Sequence, residues 1–252
     1  MSSNVRIGLA GLGTVGATVA ARLLQGAVRR AELVAVSARD AKKDRDIDLS
    51  SVDFVATPLD LVSHGKVDVV VELIGGENGI ALDLVEAALE RGKPVVTANK
   101  AMLAAHAARL SDLSFDGGVP LAFEAAVAGG IPVIKTLREG LVGNDIHRLC
   151  GILNGTCNYI LTRMEAAGLS FEEALKEAQE KGFAEADPTL DVSGLDAGQK
   201  LAILSALAYG VAPNMDNIVV TGIEAVTAAD IAFADAFDSV IRLVGLAERS
   251  GN

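Results

Sequence analysis

The stretch FAEADPTLDVSGLDAGQK, residues 183–200, sets Glu185, Asp187, Asp191 and Asp196 ahead of a single lysine, Lys200. Carboxylates can hold a substrate ammonium, and a lysine among them can pass a proton to an oxygen or take one from it. A plainer account is also open. Ser193 followed three residues later by Asp196 fits a capping box that opens a helix. Asp196 and Lys200 would then be a turn apart on one exposed face, an ion pair worth about 0.3–0.5 kcal/mol. That account leaves Glu185, Asp187 and Asp191 unexplained.

A second constellation lies near the N-terminus. GLAGLGTVGATVAARLL places Gly11, Gly13 and Gly16 in a G-x-G-x-x-G array, directly after an apolar strand and at the head of an amphipathic helix. There the glycines permit a tight turn, close approach of a pyrophosphate and close helix–strand packing. The helix start at Thr14 and Val15 offers N–H groups to the phosphates. The next strand, ELVAVS, closes on Ser37, Ala38 and Arg39, with Asp40, Lys42 and Lys43 following. No acid stands at the strand end itself to accept from ribose hydroxyls, and Arg39 can pair with a 2′-phosphate, which favours NADP over NAD. ELIGG brings Glu72, Gly75 and Gly76 to a fourth strand end, and TANK brings Asn99 and Lys100 to a fifth. Ligands of open sheets bind at such ends, so Lys100 is expected near the nicotinamide.

The elements that must position these groups follow from the apolar rhythm. Short Val-, Ile- and Leu-rich runs alternate with amphipathic segments up to about residue 135, the pattern of a parallel sheet covered on both faces. The fold class expected is α/β, a Rossmann-type doubly wound sheet over residues 1–135, followed by an α+β domain over 136–252. In that second domain a strand is expected at 146–153, helices at 157–167, 171–181 and 195–209, and a further strand at 240–247. The first domain is expected to bind NAD(P) and the second the substrate, with a cleft between them as the default ligand site.

Composition narrows the classes. The formal charge is −11, from 22 Lys and Arg against 33 Asp and Glu, so a polyanion is repelled and no nucleic-acid partner is expected. No apolar run approaches the roughly 20 residues a membrane span needs, and the N-terminus lacks the plan of a secretion signal. A cytoplasmic protein without a membrane partner is the expectation. Cys150 and Cys157 match neither a metal knuckle nor a redox pair and read as buried free thiols. His64, His106 and His147 form no ligand pattern.

Taken together, GILNGTCNYIL, GLSFEEALKEAQEKGFAEADPTLDVSGLDAGQKLAIL, TANK and FEAAVAGGIPVI closely resemble homoserine dehydrogenase, over essentially the whole chain. The resemblance implies interconversion of L-homoserine and L-aspartate 4-semialdehyde with NADP or NAD, on the route to threonine and methionine. Lys200 would exchange the proton with the substrate oxygen, and Lys100 would be a second active-site lysine. Glu185 and Asp191 would hold the substrate, Asp196 would stand beside the catalytic lysine, and Gly155 and Thr156 would form a turn close to both ligands. The segment EAAVAGGI resembles the family's monovalent-cation site, which implies sodium or a similar ion on Glu124, Val127, Gly129 and Ile131.

Two departures qualify these expectations. Phe183 stands where many relatives carry a tyrosine, so a hydroxyl contact is lost there. Relatives also continue past IRLVGLAERSGN, so the resemblance implies an incomplete second domain, with the strand at 240–247 lacking its sheet neighbours. A homodimer through that domain is the family's habit and would need it to be sufficiently complete. A related amino-acid dehydrogenase, and a form that binds dinucleotide without turnover, are the competing readings.

Overall fold

A computed structural model describes residues 4–249, and the chain divides into two compact units, Met1–Lys135 and Thr136–Asn252. The first unit runs β1 (Val5–Ala10), α1 (Thr14–Leu24), β2 (Ala31–Ser37), β3 (Asp53–Phe54), α2 (Asp60–Ser63), β4 (Val69–Glu72), α3 (Ile80–Glu90), β5 (Val95–Thr97), α4 (Lys100–Asp116), β6 (Leu121–Ala122) and the short turn α5 (Val133–Lys135). Its six strands form a parallel sheet in the order β3-β2-β1-β4-β5-β6. This is an α/β, Rossmann-type arrangement, and the strand order reverses between β1 and β4.

The burial pattern explains why the strands are short apolar runs. Leu9, Val36, Val70 and Val95 are sealed from water, because helices cover a parallel sheet on both faces. One core gathers Leu9, Leu33, Val36 and Val71 with Ala20 and Leu23 of α1. On α3, Leu84, Val85, Ala88 and Leu89 are buried at helical spacing, the apolar stripe that binds it to the sheet.

The apolar rhythm weakens at the end of the unit. β6 is only Leu121–Ala122, and the chain soon turns into a 3₁₀ helix at Glu124–Ala126. The short α5 runs into a π-helical turn at Thr136–Gly140.

The second unit carries β7 (Arg148–Gly151), α6 (Gly155–Ala167), α7 (Phe171–Glu180), α8 (Thr189–Val192), α9 (Leu195–Tyr209), α10 (Ala228–Asp235) and β8 (Gly245–Glu248). Its core packs Cys157, Ile160, Leu161 and Met164 of α6 against Ala174 and Ala178 of α7, with Val192, Ile223 and Ile231. Asn154 caps α6 by accepting from the Cys157 N–H, and Ser170 with Glu173 forms a reciprocal capping box on α7.

The expected C-terminal strand forms only at Gly245–Glu248, and it has a neighbour: β8 pairs antiparallel with β7. The pairing is held further by an Arg148–Glu248 ion pair of 3.0 Å and by the Tyr209 hydroxyl, which donates to the Ala247 carbonyl at 2.8 Å. Among the described residues no helix is long and apolar enough to cross a membrane.

Candidate active site

In the first unit the glycines of the array do two different jobs. Gly11 has φ +95°, and a Cβ there would lie 2.4 Å from the Leu73 carbonyl oxygen. A Cβ on Gly16 would lie 1.9 Å from the Gly11 carbonyl oxygen. Both are demanded by the close approach of backbone to backbone. A Cβ on Gly13 would meet nothing within 4 Å, so space is kept open where α1 begins. No side chain caps α1, and its first turn carries no acid, an arrangement suited to an anion at the helix start.

A crevice of about 660 Å³ opens beside this turn, lined among others by Gly11, Gly13, Arg39, Asp40, Lys43 and Arg45. Ser37 also lines it; that residue is 1% exposed, and its hydroxyl has no hydrogen-bond partner among the described residues. The Asp40 carboxylate turns back on its own loop and accepts from the Lys42 N–H at 2.9 Å.

The ends of β4 and β5 are organised by Glu72, which is sealed from water. One of its oxygens accepts the N–H groups of Ile74 (2.7 Å) and Gly75 (3.0 Å), and the other accepts the Thr97 hydroxyl. Burial of a carboxylate is tolerable only with its oxygens occupied in this way. The Asn99 side chain then donates to the Gly76 carbonyl at 2.7 Å and accepts from Met102 N–H, capping α4. Gly75 and Gly76 take positive φ, 83° and 94°, so this network fixes a glycine bend beside the array. Lys100, the first residue of α4, is half-buried next to it.

In the second unit, a pocket of about 570 Å³ is lined by Asn154, Gly155, Thr156, Tyr159, Gly182, Phe183, Asp191, Asp196 and Lys200. The Lys200 ammonium donates to Asp196 Oδ2 at 2.8 Å and to the Leu153 carbonyl at 2.9 Å. The pair is not the exposed one expected from spacing: the side chains are 18% and 6% exposed. The capping box is overturned as well. Gly194, at φ 83° and without a side-chain cap, is the residue before α9. A Cβ there would lie 3.1 Å from the Thr221 carbonyl oxygen, so backbone packing selects glycine at the helix start. Asp196 is thereby released from capping and turns to the lysine.

Asn154 organises the cluster, and sequence reasoning assigned it no role. It is 3% exposed, and its amide nitrogen donates to Asp191 Oδ1 at 2.7 Å and to Asp196 Oδ2 at 2.8 Å. Its oxygen is fixed by the Cys157 N–H, so both of its N–H groups face carboxylates. The Thr156 hydroxyl donates to the Phe183 carbonyl at 2.8 Å, tying the α6 start to the acidic loop. Cys157 donates its thiol to the Asp191 carbonyl. Burial first, and then Asp191 and Asp196, push that thiol up to about 12, so it stays a neutral packing group.

The wall opposite is built on Tyr159, whose ring lies 4.8 Å from that of Phe183. The Tyr159 hydroxyl donates to Glu177, which also accepts from Lys181 and Arg163. Lys181, then Arg163 and Tyr159, hold the Glu177 carboxyl down at about 2.

The sequence matches bear directly on this pocket. Residues 11–124 match the family model described as homoserine dehydrogenase, NAD binding domain, and residues 132–250 match that of homoserine dehydrogenase. The chain belongs to the homoserine dehydrogenase family. It is 45% identical to a homoserine dehydrogenase of Pseudomonas aeruginosa over 98% of this chain and 58% of that protein. A homoserine dehydrogenase structure from Thiobacillus denitrificans superposes with a TM-score of 0.91 at 42% identity, covering 99% of this chain and 59% of that one. A hyperthermophilic archaeal homoserine dehydrogenase solved with NADPH gives 0.80 at 27% identity, covering 98% and 79%. The chain thus spans somewhat under three fifths of the curated relative's length.

Of the residues that the homoserine dehydrogenase resemblance singles out, the second unit brings Gly155, Thr156, Asp191, Asp196 and Lys200 to one pocket. Glu185 is exposed and is not among the lining residues; its carbonyl accepts from Gln179. Asp187 caps its own turn through Thr189. In the first unit the Glu124 carboxylate accepts the N–H groups of Ile134 (2.8 Å) and Lys135 (3.0 Å), and the Ile131 carbonyl accepts from Val133. Val127 is buried, while Gly129 and Ile131 are exposed. Among the described residues no group of three or more His, Cys, Asp and Glu is placed to hold a metal. Of the two thiols, Cys150 is exposed rather than buried.

Proposed function

We propose that this chain is an NAD(P)-dependent oxidoreductase that interconverts L-homoserine and L-aspartate 4-semialdehyde. The first unit binds the dinucleotide and the second the substrate. The observation that carries the reading is the half-sealed Lys200 ammonium in a polar pocket with Asp191 and Asp196, within a family whose relatives bear that activity in their names.

Lys200 has three N–H bonds as an ammonium; Asp196 and the Leu153 carbonyl take two. The third is left for a substrate oxygen. Lys200 would give its proton to the carbonyl oxygen in reduction and take the hydroxyl proton in oxidation. A bound nicotinamide would supply the hydride to the same carbon in the first direction and accept it in the second. Asp191, with Glu185 from its loop, supplies negative charge for the substrate ammonium, and Gly155 and Thr156 shape the turn beside it. Lys100, with Asn99, Gly75 and Gly76, stands at the strand ends that bind the nicotinamide half in such sheets.

The dinucleotide pyrophosphate belongs on Gly11, Gly13, Thr14, Val15 and Gly16. Arg39 in the basic crevice, and Asp40 turned back on its own loop, favour NADP, and an archaeal relative was solved with NADPH. The family's monovalent cation would need Glu124 with the carbonyls of Val127, Gly129 and Ile131. Their oxygens fit that role poorly while Glu124 and Ile131 accept backbone N–H groups, and no step depends on it. A cytoplasmic homodimer is the corresponding expectation for the assembly.

The test follows dinucleotide absorbance with homoserine at high pH, and with the semialdehyde in reverse, for the wild type and Lys200→Ala. A loss of roughly 10²–10⁴-fold on substitution is expected for a general acid–base group. Turnover indifferent to Lys200, or oxidation of another amino acid in preference to homoserine, refutes the reading. Binding without turnover leaves only its dinucleotide half.

A further inference from the structure

Arg45 is half-buried, and its planar fork reaches three backbone carbonyls: Leu12 at 3.1 Å, Lys43 at 2.7 Å and Asp40 at 2.6 Å. Leu12 lies between Gly11 and Gly13, whereas Asp40 and Lys43 belong to the loop after β2. One guanidinium therefore fastens that loop to the phosphate turn. The same loop carries Arg39 and Lys43 into the crevice.

In a chain of net charge −11, three cations and one acid line this crevice, and the acid is turned away on its own loop. A dinucleotide's pyrophosphate is served by α1 and the glycines. The extra positive charge at the end of β2 is in excess of what that group requires. It lies where the sheet places the adenosine ribose, beside the unspent hydroxyl of Ser37.

We propose that Arg45 is a positioning residue for cofactor selectivity: by clamping loop 40–43 to the glycine turn, it holds Arg39 and Lys43 over the adenosine 2′-position. The inference rests on the reading of this crevice as the dinucleotide site. Lysine cannot replace the residue, because an ammonium on a flexible stem does not span three carbonyls as a rigid fork does.

The experiment is calorimetric titration of the full chain with 2′,5′-ADP and 5′-ADP, for the wild type, Arg45→Met, Arg45→Lys, Arg39→Ala and the Arg39→Ala/Arg45→Met double variant. The wild type should prefer 2′,5′-ADP. Arg45→Met should weaken it roughly tenfold or more, as for a lost charged contact, and 5′-ADP by less than about threefold. Retained 5′-ADP binding shows that the glycine turn is intact. Arg45→Lys should behave like Met, and the double variant should fall within about twofold of the weaker single variant, since both act through one contact. Equal losses on both ligands, full rescue by lysine, or additive losses overturn the proposal. Equal wild-type affinity for the two ligands overturns it while sparing the dinucleotide reading; no binding of either removes both.

Discussion

Replacing Asn154 with alanine separates the contributions inside the pocket. The side chain makes two donations to carboxylates and accepts one helix-capping N–H. Loss of the cap costs about 1 kcal/mol. Each hydrogen bond to a charged group contributes about 1.5–3 kcal/mol, but Asp196 keeps Lys200 and the pocket admits water to Asp191, so roughly one such bond is lost net. The sum is about 2–4 kcal/mol, or roughly 6–24 °C in melting temperature for a unit of this size. The chain has no tryptophan and only two tyrosines, Tyr159 and Tyr209, both in the second unit. Tyrosine emission therefore follows the unfolding of that unit alone and avoids the two-state assumption for the whole chain. Asn154→Ser keeps a capping oxygen and should recover about 1 kcal/mol. Asn154→Asp keeps the cap but sets a third carboxylate against two, and should be the least stable of the three at neutral pH. Alanine and serine variants that melt together, or an alanine variant within about 0.5 kcal/mol of wild type, would show that Asn154 does not hold this cluster.

Two further outcomes are expected. Gly13→Ala should fold normally, because its Cβ meets no protein atom, yet bind NADPH at least tenfold more weakly by titration, because a pyrophosphate would meet that methyl. Gly16→Ala, aimed at a carbonyl 1.9 Å away, should lower the melting temperature itself; the reverse ranking would mean that the open space is not a ligand's. The Glu177 carboxyl lies at about 2 in the folded chain, below the ordinary value near 4.3. Its contribution to stability is thus complete above the ordinary value and fades as pH falls from there towards 2. Urea midpoints measured by circular dichroism from pH 6 to pH 2 should fall less steeply for Glu177→Gln than for wild type, and parallel curves would contradict the network.

What could be read from sequence, and what could not, divides by the range of the forces involved. The glycine array was legible because a strand, a tight turn and a helix start are contiguous, and the constraint on Gly11 and Gly16 is met within a few residues and one neighbouring strand end. Lys200 and Asp196 were legible as a helical pair for the same local reason, but their environment was not. An i, i+4 pair looks identical in solvent and in a pocket until something from elsewhere covers it. Here that cover is the loop from β7 to α6, whose Asn154 is 42 residues away in sequence from Asp196. A capping asparagine in NGTC was the available signal, yet capping alone predicts one hydrogen bond and not the two donations that orient the carboxylates. Ser193 misled for the complementary reason: a capping box is a local preference worth about 1 kcal/mol. The left-handed φ of Gly194 and its tight packing against the Thr221 backbone strain any side chain there. Arg45 was the least legible of all, because its partners are backbone carbonyls, identical in every residue and fixed only by the fold. Residues that organise a site through main-chain oxygens leave almost no trace in side-chain patterns. Arg45 works through such oxygens and Asn154 through carboxylates far away in sequence, so these two, rather than the acids and lysines already visible in the sequence, are the positions where substitution tells most about this chain.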